Sequence, residues 1–237
     1  MDSADPEQKK LFNVEYERHR RLMMDDVRES RDSLLVHALE THFDPGTVPF
    51  KRVTTVWKYA QEITYKHGNI PSWVYLNHPL RVALILLEYV RSVNEETLCI
   101  ALLHNILETS DITEKMVREN FGESVAEAIR ALTIDRTMQS HDYLKQYYAR
   151  IEGTSRGCAE VKVADKLDNI YMICFTPSES IRNAYLDEIE DWVIPLASRS
   201  VPELRERMAV ACDVMRKVGY LDKEDEIEQL RRKKDEL

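Results

Sequence analysis

Residues 101–109 read ALLHNILET, and this stretch decides how the rest of the chain is interpreted. It ends a strongly apolar run with the length and spacing of a buried helix, predicted from Asn94, which can cap it, through Leu107. His104 and Glu108 stand four residues apart near its end, and residues four apart share one face of a helix. The stretch therefore predicts a helix that presents two polar groups at one end of an apolar core.

Two further stretches place similar groups on helices. Residues 75–83 read YLNHPLRVA, with His78 at the start of an apolar helix. Residues 161–169 read VKVADKLDN, with Asp165 and Asn169 again four apart. Each group has an ordinary structural alternative, such as a helix cap, a hydrogen-bonded core histidine or a surface carboxylate. Taken together, the three stretches predict three helices that converge on one site.

The chemistry of such a site is that of a divalent metal. Two neutral imidazoles with carboxylate or carbonyl oxygens suit Mn, Fe, Co or Zn. With open positions left over, such an ion binds water, lowers its pKa and polarises a phosphoryl oxygen. Glu108 is then placed to accept a proton from the water or to orient it.

The whole chain has the pattern of an all-α protein. It contains 6 Gly in 237 residues, and no stretch alternates apolar and polar residues between turn signals. We expect Asn77 to cap the helix that carries His78, and residues 43–50, with two prolines, to form a linker. Helices are predicted over residues 13–29, 32–41, 54–67, 77–90, 94–107, 113–120, 123–132, 140–151, 157–174, 178–197, 202–218 and 223–237.

Composition and charge restrict the partners. The net charge of −9 argues against general nucleic-acid binding, because a negative field repels a phosphate backbone. The four cysteines are widely spaced, which predicts reduced core residues. We find no signal peptide and no membrane-spanning stretch, and we interpret the C-terminal KDEL as a chance match within a charged tail. The expectation is a cytoplasmic protein that does not bind membranes; the oligomeric state stays open.

Taken together and in this order, the motifs make the sequence similar to the HD superfamily of metal-dependent phosphohydrolases. It is most similar to the hydrolase domain of the RelA/SpoT family, which removes the 3′-pyrophosphate of guanosine alarmones. The family pattern YxxHPxxVA matches residues 75–83, ALLHDxxED matches 101–109 with two exceptions, FGxxVAxxxxxLT matches 121–133, and KxADRLxN matches 162–169 with Lys166 for Arg. The resemblance covers roughly residues 54–195 and implies an HD-domain helical bundle with helical extensions at both ends.

The resemblance also implies roles for individual residues. Metal ligands fall at His78, His104, Asn105 and Asp165, with Mn as the usual ion. Glu108 takes the place of the catalytic Glu, with Thr109 beside it. Asn169 takes the place of an Asn that contacts the nucleotide.

Two of these positions depart from the family. Asn105 and Thr109 stand where the family has Asp. Asn105 offers a neutral ligand, and a hydroxyl such as that of Thr109 cannot act as a base near neutral pH. Asn105 is compatible with a natural, weakened site and equally with a deliberate substitution that traps a substrate complex.

The loop that embraces the nucleotide in the family also differs, since residues 68–74 carry no cation. Phosphate recognition must therefore depend on other basic side chains. The alternative for each of these is that it lies on a solvated helix face and binds no phosphate. Trp73 or Tyr148 could stack on a base, although a core role is the alternative for both. The basic candidates for phosphate are Lys162, Lys166, Arg136, Lys145 and Arg150.

Three functions remain open. The first is an enzyme, a metal-dependent phosphohydrolase or pyrophosphohydrolase of a nucleotide-like substrate. The second is a degenerate HD domain that binds a nucleotide or a partner without turnover, and the third is a helical adaptor. We expect an N-terminal helical extension over residues 1–50, the hydrolase-like domain over 51–200, and C-terminal helices with a charged tail over 201–237.

Overall fold

The computed structural model describes residues 13–26, 31–135, 137–138 and 140–235. As predicted, the fold is all-α: apart from one antiparallel bridge between His67 and Ile70, the described residues contain no β-structure. A 3₁₀ turn covers Ile173–Phe175 and a π-helical turn covers Ile189–Val193. The α-helices are α1 (Val14–Asp26), α2 (Arg31–Glu40), α3 (Val48–Glu62), α4 (Ser72–Tyr75), α5 (Asn77–Tyr89), α6 (Glu95–Leu103), α7 (Ile106–Thr109), α8 (Glu114–Phe121), α9 (Glu123–Leu132), α10 (His141–Thr154), α11 (Arg156–Ile170), α12 (Glu179–Glu188), α13 (Ile194–Ser200), α14 (Pro202–Val218) and α15 (Lys223–Asp235).

Helices α5, α6 and α11 pack against one another at the centre of the fold. All residues of α6 from Thr97 to Leu103 are buried, and so are all residues of α11 from Cys158 to Asp168. A helix buried on every side belongs to the interior of a protein. The apolar run of α6 explains its burial, whereas α11 carries charged residues into the core, where they need partners of opposite charge.

The contact between α6 and α11 requires glycine at one position. A Cβ atom on Gly157, in the first turn of α11, would lie 2.5 Å from Oγ1 of the buried Thr97 in α6. That separation is far below van der Waals contact, so the two helices approach as closely as they do because residue 157 has no side chain.

The N-terminal helices pack on this core. Val14 of α1 and Leu35 and Leu39 of α2 belong to the same cluster of buried apolar side chains as the central helices. The boundary that we expected at residue 50 falls inside α3, so a unit beginning at residue 51 would lack the first turn of that helix. The division of the chain into three units stays a prediction.

Several predicted helix ends were wrong, for identifiable reasons. Helix α3 begins at Val48 instead of residue 54, because Pro49 occupies its first turn, where a missing N–H is tolerated, and does not act as a breaker. Asn77 is not a cap: it is the first residue of α5, and its side-chain amide donates a 2.8 Å hydrogen bond to Oδ1 of Asp25 instead. Helix α11 ends at Ile170, four residues earlier than predicted.

Other expectations are met within the described residues. Asn94 caps α6 by accepting a 2.8 Å hydrogen bond from the amide of Thr97. All four cysteines are free and buried. None of the helices that the structure describes combines the length and the apolar character needed to cross a bilayer. Arg136 and the last two residues of the KDEL sequence lie outside the described residues.

Candidate metal centre

Three predicted ligands meet at one point. His78 lies in the first turn of α5, His104 directly follows α6, and Asp165 lies in the buried part of α11. The Nε2 atoms of the two histidines are 3.1 Å apart, and Oδ1 of Asp165 lies 3.1 Å from Nε2 of His78 and 3.6 Å from Nε2 of His104. Two ligands each about 2.1 Å from an ion are about 3.0 Å apart at a right angle and about 3.4 Å apart at the tetrahedral angle. The three atoms therefore fit a single metal ion.

Hydrogen bonds behind the two rings determine their orientation. Nδ1 of His78 lies 2.8 Å from Oδ2 of Asp168, and Nδ1 of His104 lies 2.7 Å from the carbonyl oxygen of Ala101. Both partners only accept hydrogen bonds, so each Nδ1 carries a proton and each Nε2 of a neutral ring has a free lone pair. Two such lone pairs and a carboxylate oxygen then face one another, which is unfavourable unless a cation lies between them.

Without a metal, a proton on His78 supplies that cation. Burial alone would lower the pKa of His78, but hydrogen bonds to Asp165 and Asp168 and the charges of these carboxylates outweigh it and raise the pKa to about 9. Burial likewise opposes ionisation of Asp165, whereas Lys162 and the two histidines hold the pKa of this carboxyl well below its usual range. The centre is thus built to hold positive charge.

The predicted continuous helix through residue 107 is interrupted at the centre. Helix α6 ends at Leu103, Asn105 has φ −104° and ψ 6°, and the short helix α7 starts at Ile106. The break separates His104 from Glu108, so the expectation that the two share one helix face was wrong.

Glu108 and Thr109 already have partners in the protein. Oε1 of the half-buried Glu108 accepts a 3.2 Å hydrogen bond from the amide of Ile134, in the segment after α9. The hydroxyl of Thr109 is buried and donates a 2.7 Å hydrogen bond to the carbonyl of Asn105. Asn105 itself is half-buried, and its side chain does not cap α7. One oxygen of Glu108 thus accepts from the backbone, and the Thr109 hydroxyl donates to the backbone.

The lysines proposed for phosphate are buried and paired beside the centre. Nζ of Lys162 lies 3.0 Å from Oδ2 of Asp165, and Nζ of Lys166 lies 2.8 Å from Oε1 of Glu188 in α12. The alternative that these two lysines lie on a solvated helix face was wrong, because α11 is central and its side chains at both positions are buried. Burial and the neighbouring Lys162 lower the pKa of Lys166.

Tyr148 belongs to this paired group. Its hydroxyl donates a 2.5 Å hydrogen bond to Oε1 of Glu188, and its ring is stacked on Trp192 with centroids 6.0 Å apart and an interplanar angle of 4°. Burial and the Glu188 carboxylate raise the pKa of the Tyr148 hydroxyl well above its usual value. The structure thus gives Tyr148 the core contacts that were the alternative to base stacking.

The remaining candidates lie in varied settings. Nδ2 of Asn169 donates a 2.8 Å hydrogen bond to Oδ1 of Asp165, so Asn169 adjoins the centre. Lys145 is exposed, and Arg150 donates to the carbonyl oxygens at the end of α9. Trp73 is 37% exposed, with the guanidinium carbon of Arg31 5.3 Å from its ring centroid.

Sequence reasoning missed Asp168, which is fully buried. Besides His78, its carboxylate binds Arg21 of α1 and Arg81 of α5. Burial would raise the pKa of Asp168, but the two guanidinium groups and His78 hold it far below its usual value. Its position three residues after Asp165 was a usable signal, since residues three apart on a helix are neighbours.

Several known proteins are similar to this chain in sequence. Residues 75–170 match the model of the HD domain family. Guanosine-3′,5′-bis(diphosphate) 3′-pyrophosphohydrolase of Aquifex aeolicus is 30% identical over 63% of the chain and 21% of its own length. Guanosine-3′,5′-bis(diphosphate) 3′-pyrophosphohydrolase MESH1 of Mus musculus is 34% identical over 40% of the chain and 54% of its own length. MESH1 of Danio rerio is 29% identical over 59% of the chain and 76% of its own length.

A solved structure shows the same fold. A metazoan SpoT ortholog superimposes with a TM-score of 0.57 at 24% identity, over 74% of the chain and all of that protein. The chain spans about a fifth of the Aquifex relative and about half of the mouse one. The match to the HD domain family extends across α5, α6 and α11, which position His78, His104 and Asp165. Residues 75–170 of this all-α chain therefore match an HD domain, and the chain has homology to the (p)ppGpp hydrolases of the SpoT and MESH1 group.

Proposed function

We propose that the chain is a metal-dependent phosphohydrolase that acts on a nucleotide-like phosphorylated substrate. The observation that carries the proposal is the convergence of two imidazole nitrogens and one carboxylate oxygen within 3.1–3.6 Å. The homologous pyrophosphohydrolases favour a guanosine 3′,5′-bis(diphosphate)-like substrate and release of pyrophosphate.

The donor set supports a first-row divalent ion. Two neutral nitrogens and one oxygen suit Mn, Fe, Co or Zn, and we propose Mn because the family resemblance implies it. A bound ion of this kind supplies an acidified water and polarises a phosphoryl oxygen. Asn105, directly after His104, is the proposed fourth protein ligand through its side-chain carbonyl.

Glu108 is the proposed proton acceptor. Its side chain is half-buried in α7, and one oxygen accepts a hydrogen bond from the amide of Ile134. A carboxylate at this position can orient a water or accept its proton. The Thr109 hydroxyl, engaged with the Asn105 carbonyl, supports the geometry of this turn and takes no proton.

Substrate contacts are proposed for the groups around the centre. Lys162 and Lys166 bring two buried cations within a turn of Asp165, and a buried cation interacts strongly with phosphate because water screens it little. Asn169 adjoins the centre through its bond to Asp165, and its amide is the proposed nucleotide contact. Arg136 and Tyr148 stay predictions, the latter weakened by its stacking on Trp192.

The test measures metal content and product release together. The protein is loaded with Mn²⁺ and offered a panel of nucleotides, including guanosine 3′,5′-bis(diphosphate), with phosphate and pyrophosphate assayed separately. Asp165→Asn should abolish turnover, and Asp213→Asn, at an exposed carboxylate in α14, is the matched control that should retain it. Asn105→Asp adds a ligand charge and should tighten Mn²⁺ binding at least about tenfold. If neither the wild type nor Asn105→Asp releases product with metal bound, the proposal of a hydrolase is refuted.

A second function is favoured by one observation. The two positions where the family has Asp carry a neutral amide and a hydroxyl, and the Thr109 hydroxyl is already bonded to the backbone. An HD domain with such a site can bind a nucleotide without turning it over. Saturable nucleotide binding that persists in EDTA, with no product, would establish this alternative; restored turnover in Asn105→Asp would argue against a binding-only role.

A further inference from the structure

The carboxylate of Asp168 connects the N-terminal helix to the proposed metal centre. It is fully buried, and three side chains donate to it. Nδ1 of His78 lies 2.8 Å from Oδ2, Nε of Arg21 lies 2.7 Å from Oδ1, and Nε of Arg81 lies 3.0 Å from Oδ1 and 3.1 Å from Oδ2. Both oxygens are thereby fixed, and the plane of the carboxylate is determined by residues from α1 and α5.

Arg21 is itself held rigidly. Its side chain is 3% exposed, and Nη1 donates to the carbonyl oxygen of Glu17 at 2.8 Å and to the Glu17 carboxylate at 2.6 Å. The guanidinium carbon lies 4.2 Å from the ring centroid of Tyr171, a distance typical of a cation–π contact. A guanidinium fixed on three sides presents its Nε–H to Asp168 in one direction only.

A second contact from α1 supports the same region. Oδ1 of Asp25 accepts a 3.3 Å hydrogen bond from Nη1 of Arg81 and a 2.8 Å bond from Nδ2 of Asn77, the residue before His78. Helix α1 therefore contacts side chains in the first two turns of α5 as well as the carboxylate behind the His78 ring.

We propose that Arg21 is a positioning residue of the metal centre, acting through Asp168 to hold the His78 ring with its Nε2 toward the ion. The inference rests on the proposed metal site. Without Arg21, Oδ1 of Asp168 keeps one donor, and rotation of the carboxylate would weaken the hydrogen bond to His78. Partners behind a metal-binding histidine fix its tautomer and orientation, and removing one typically costs about 10–100-fold in metal affinity or activity.

The inference also gives the N-terminal helix a role that the sequence left open. Helix α1 precedes the matched HD domain by about fifty residues, yet it supplies one of the three donors that hold Asp168. Helix α1 is thus part of the structure that supports the proposed metal centre.

The test is a direct titration with Mn²⁺ alone, following free Mn²⁺ by electron paramagnetic resonance. Arg21→Ala should weaken binding about 10–100-fold. The matched control is Arg20→Ala: Arg20 is the next residue of α1, its side chain is 35% exposed, and it pairs with Glu88 on the surface. This control should bind Mn²⁺ as the wild type does, because an exposed ion pair contributes little.

A second variant covers the case in which Arg21→Ala does not fold. Arg21→Lys keeps the charge but not the planar fork, so it should give an intermediate affinity. Circular dichroism establishes that each variant is folded, and ¹⁵N-histidine spectra report whether Nδ1 of His78 keeps its proton, which a purely structural role of Arg21 would not alter.

The outcomes separate this inference from the proposed activity. Folded Arg21 variants that bind Mn²⁺ with wild-type affinity would overturn the inference, whatever the protein hydrolyses. Arg21-dependent Mn²⁺ binding in a protein that hydrolyses no nucleotide would support it while refuting the hydrolase. A wild-type protein that binds no Mn²⁺ would overturn the inference together with the choice of Mn as the ion.

Discussion

Metal binding should expel a proton from His78, and the structure gives the size of this effect. The raised pKa of about 9 means that His78 is charged at neutral pH in the metal-free protein, although its side chain is only 15% exposed. A metal needs the Nε2 lone pair that this proton occupies. At pH 7 only ~1% of the metal-free protein has neutral His78, so the apparent affinity for Mn²⁺ should be ~100-fold below its limiting value.

The raised pKa of His78 weakens metal binding at neutral pH, but it stabilises the metal-free fold. Because the pKa is raised above the ordinary histidine value of 6.5, His78 contributes stability that is fully present below pH 6.5 and is lost as the pH rises through about 9. The contribution amounts to about 3 kcal/mol at most. The melting temperature in EDTA should therefore fall from pH 6.5 to 9, while the stabilisation by Mn²⁺ grows over the same range.

Isothermal titration calorimetry in buffers of different ionisation enthalpy measures this directly. At pH 7 we expect about one proton released per Mn²⁺ bound, and a dissociation constant that falls about tenfold per pH unit up to about pH 8.5. His42→Ala, at an exposed histidine, should leave the proton count unchanged. Metal binding without proton release, at an affinity that does not vary between pH 7 and 8.5, would show that His78 is not a ligand or is not charged in the metal-free protein.

Two further outcomes test the core. Gly157→Ala should lower the free energy of unfolding by about 1–3 kcal/mol, because the new Cβ would overlap the buried Thr97 side chain. Its control is Gly153→Ala in α10, where a Cβ meets open space, so this change should be neutral or stabilising by up to about 1 kcal/mol. Equal effects of the two substitutions in denaturant titrations would contradict this packing. The four cysteines should react with a thiol reagent only upon unfolding, since burial raises their pKa values to about 11 or 12; rapid labelling of the native protein would be inconsistent with that burial.

The clustering of the three candidate ligands could be predicted from the sequence because their motifs are local. His78, His104 and Asp165 each stand in a short pattern that determines both the helix and the position on it, and the helices carry them to one point. The break after Leu103 could not be predicted in this way. Residues 101–107 are apolar apart from the His–Asn pair, so local propensity favours a continuous helix, and tertiary contacts decide otherwise.

The polar groups behind the ligands depend on chain segments far apart in sequence. Arg21 lies 147 residues before Asp168, and nothing in the local pattern of either residue points to the other. The lysines of α11 posed the same difficulty. A charged residue on a helix is usually exposed, and only the central position of α11 makes Lys162 and Lys166 buried partners of carboxylates.

The buried charges of α11 restrict how this protein can be redesigned. Each of them is paired. Within the helix, Glu160 pairs with Arg156 and Lys162 with Asp165. Lys166 pairs with Glu188 on α12, and Asp168 with arginines of α1 and α5. Replacing one member alone leaves an ion without a counter-charge in the interior, at a cost of about 3–5 kcal/mol. Changes of substrate preference near these lysines therefore require compensating substitutions made in pairs, whereas the apolar positions of α6 can be varied singly at similar volume.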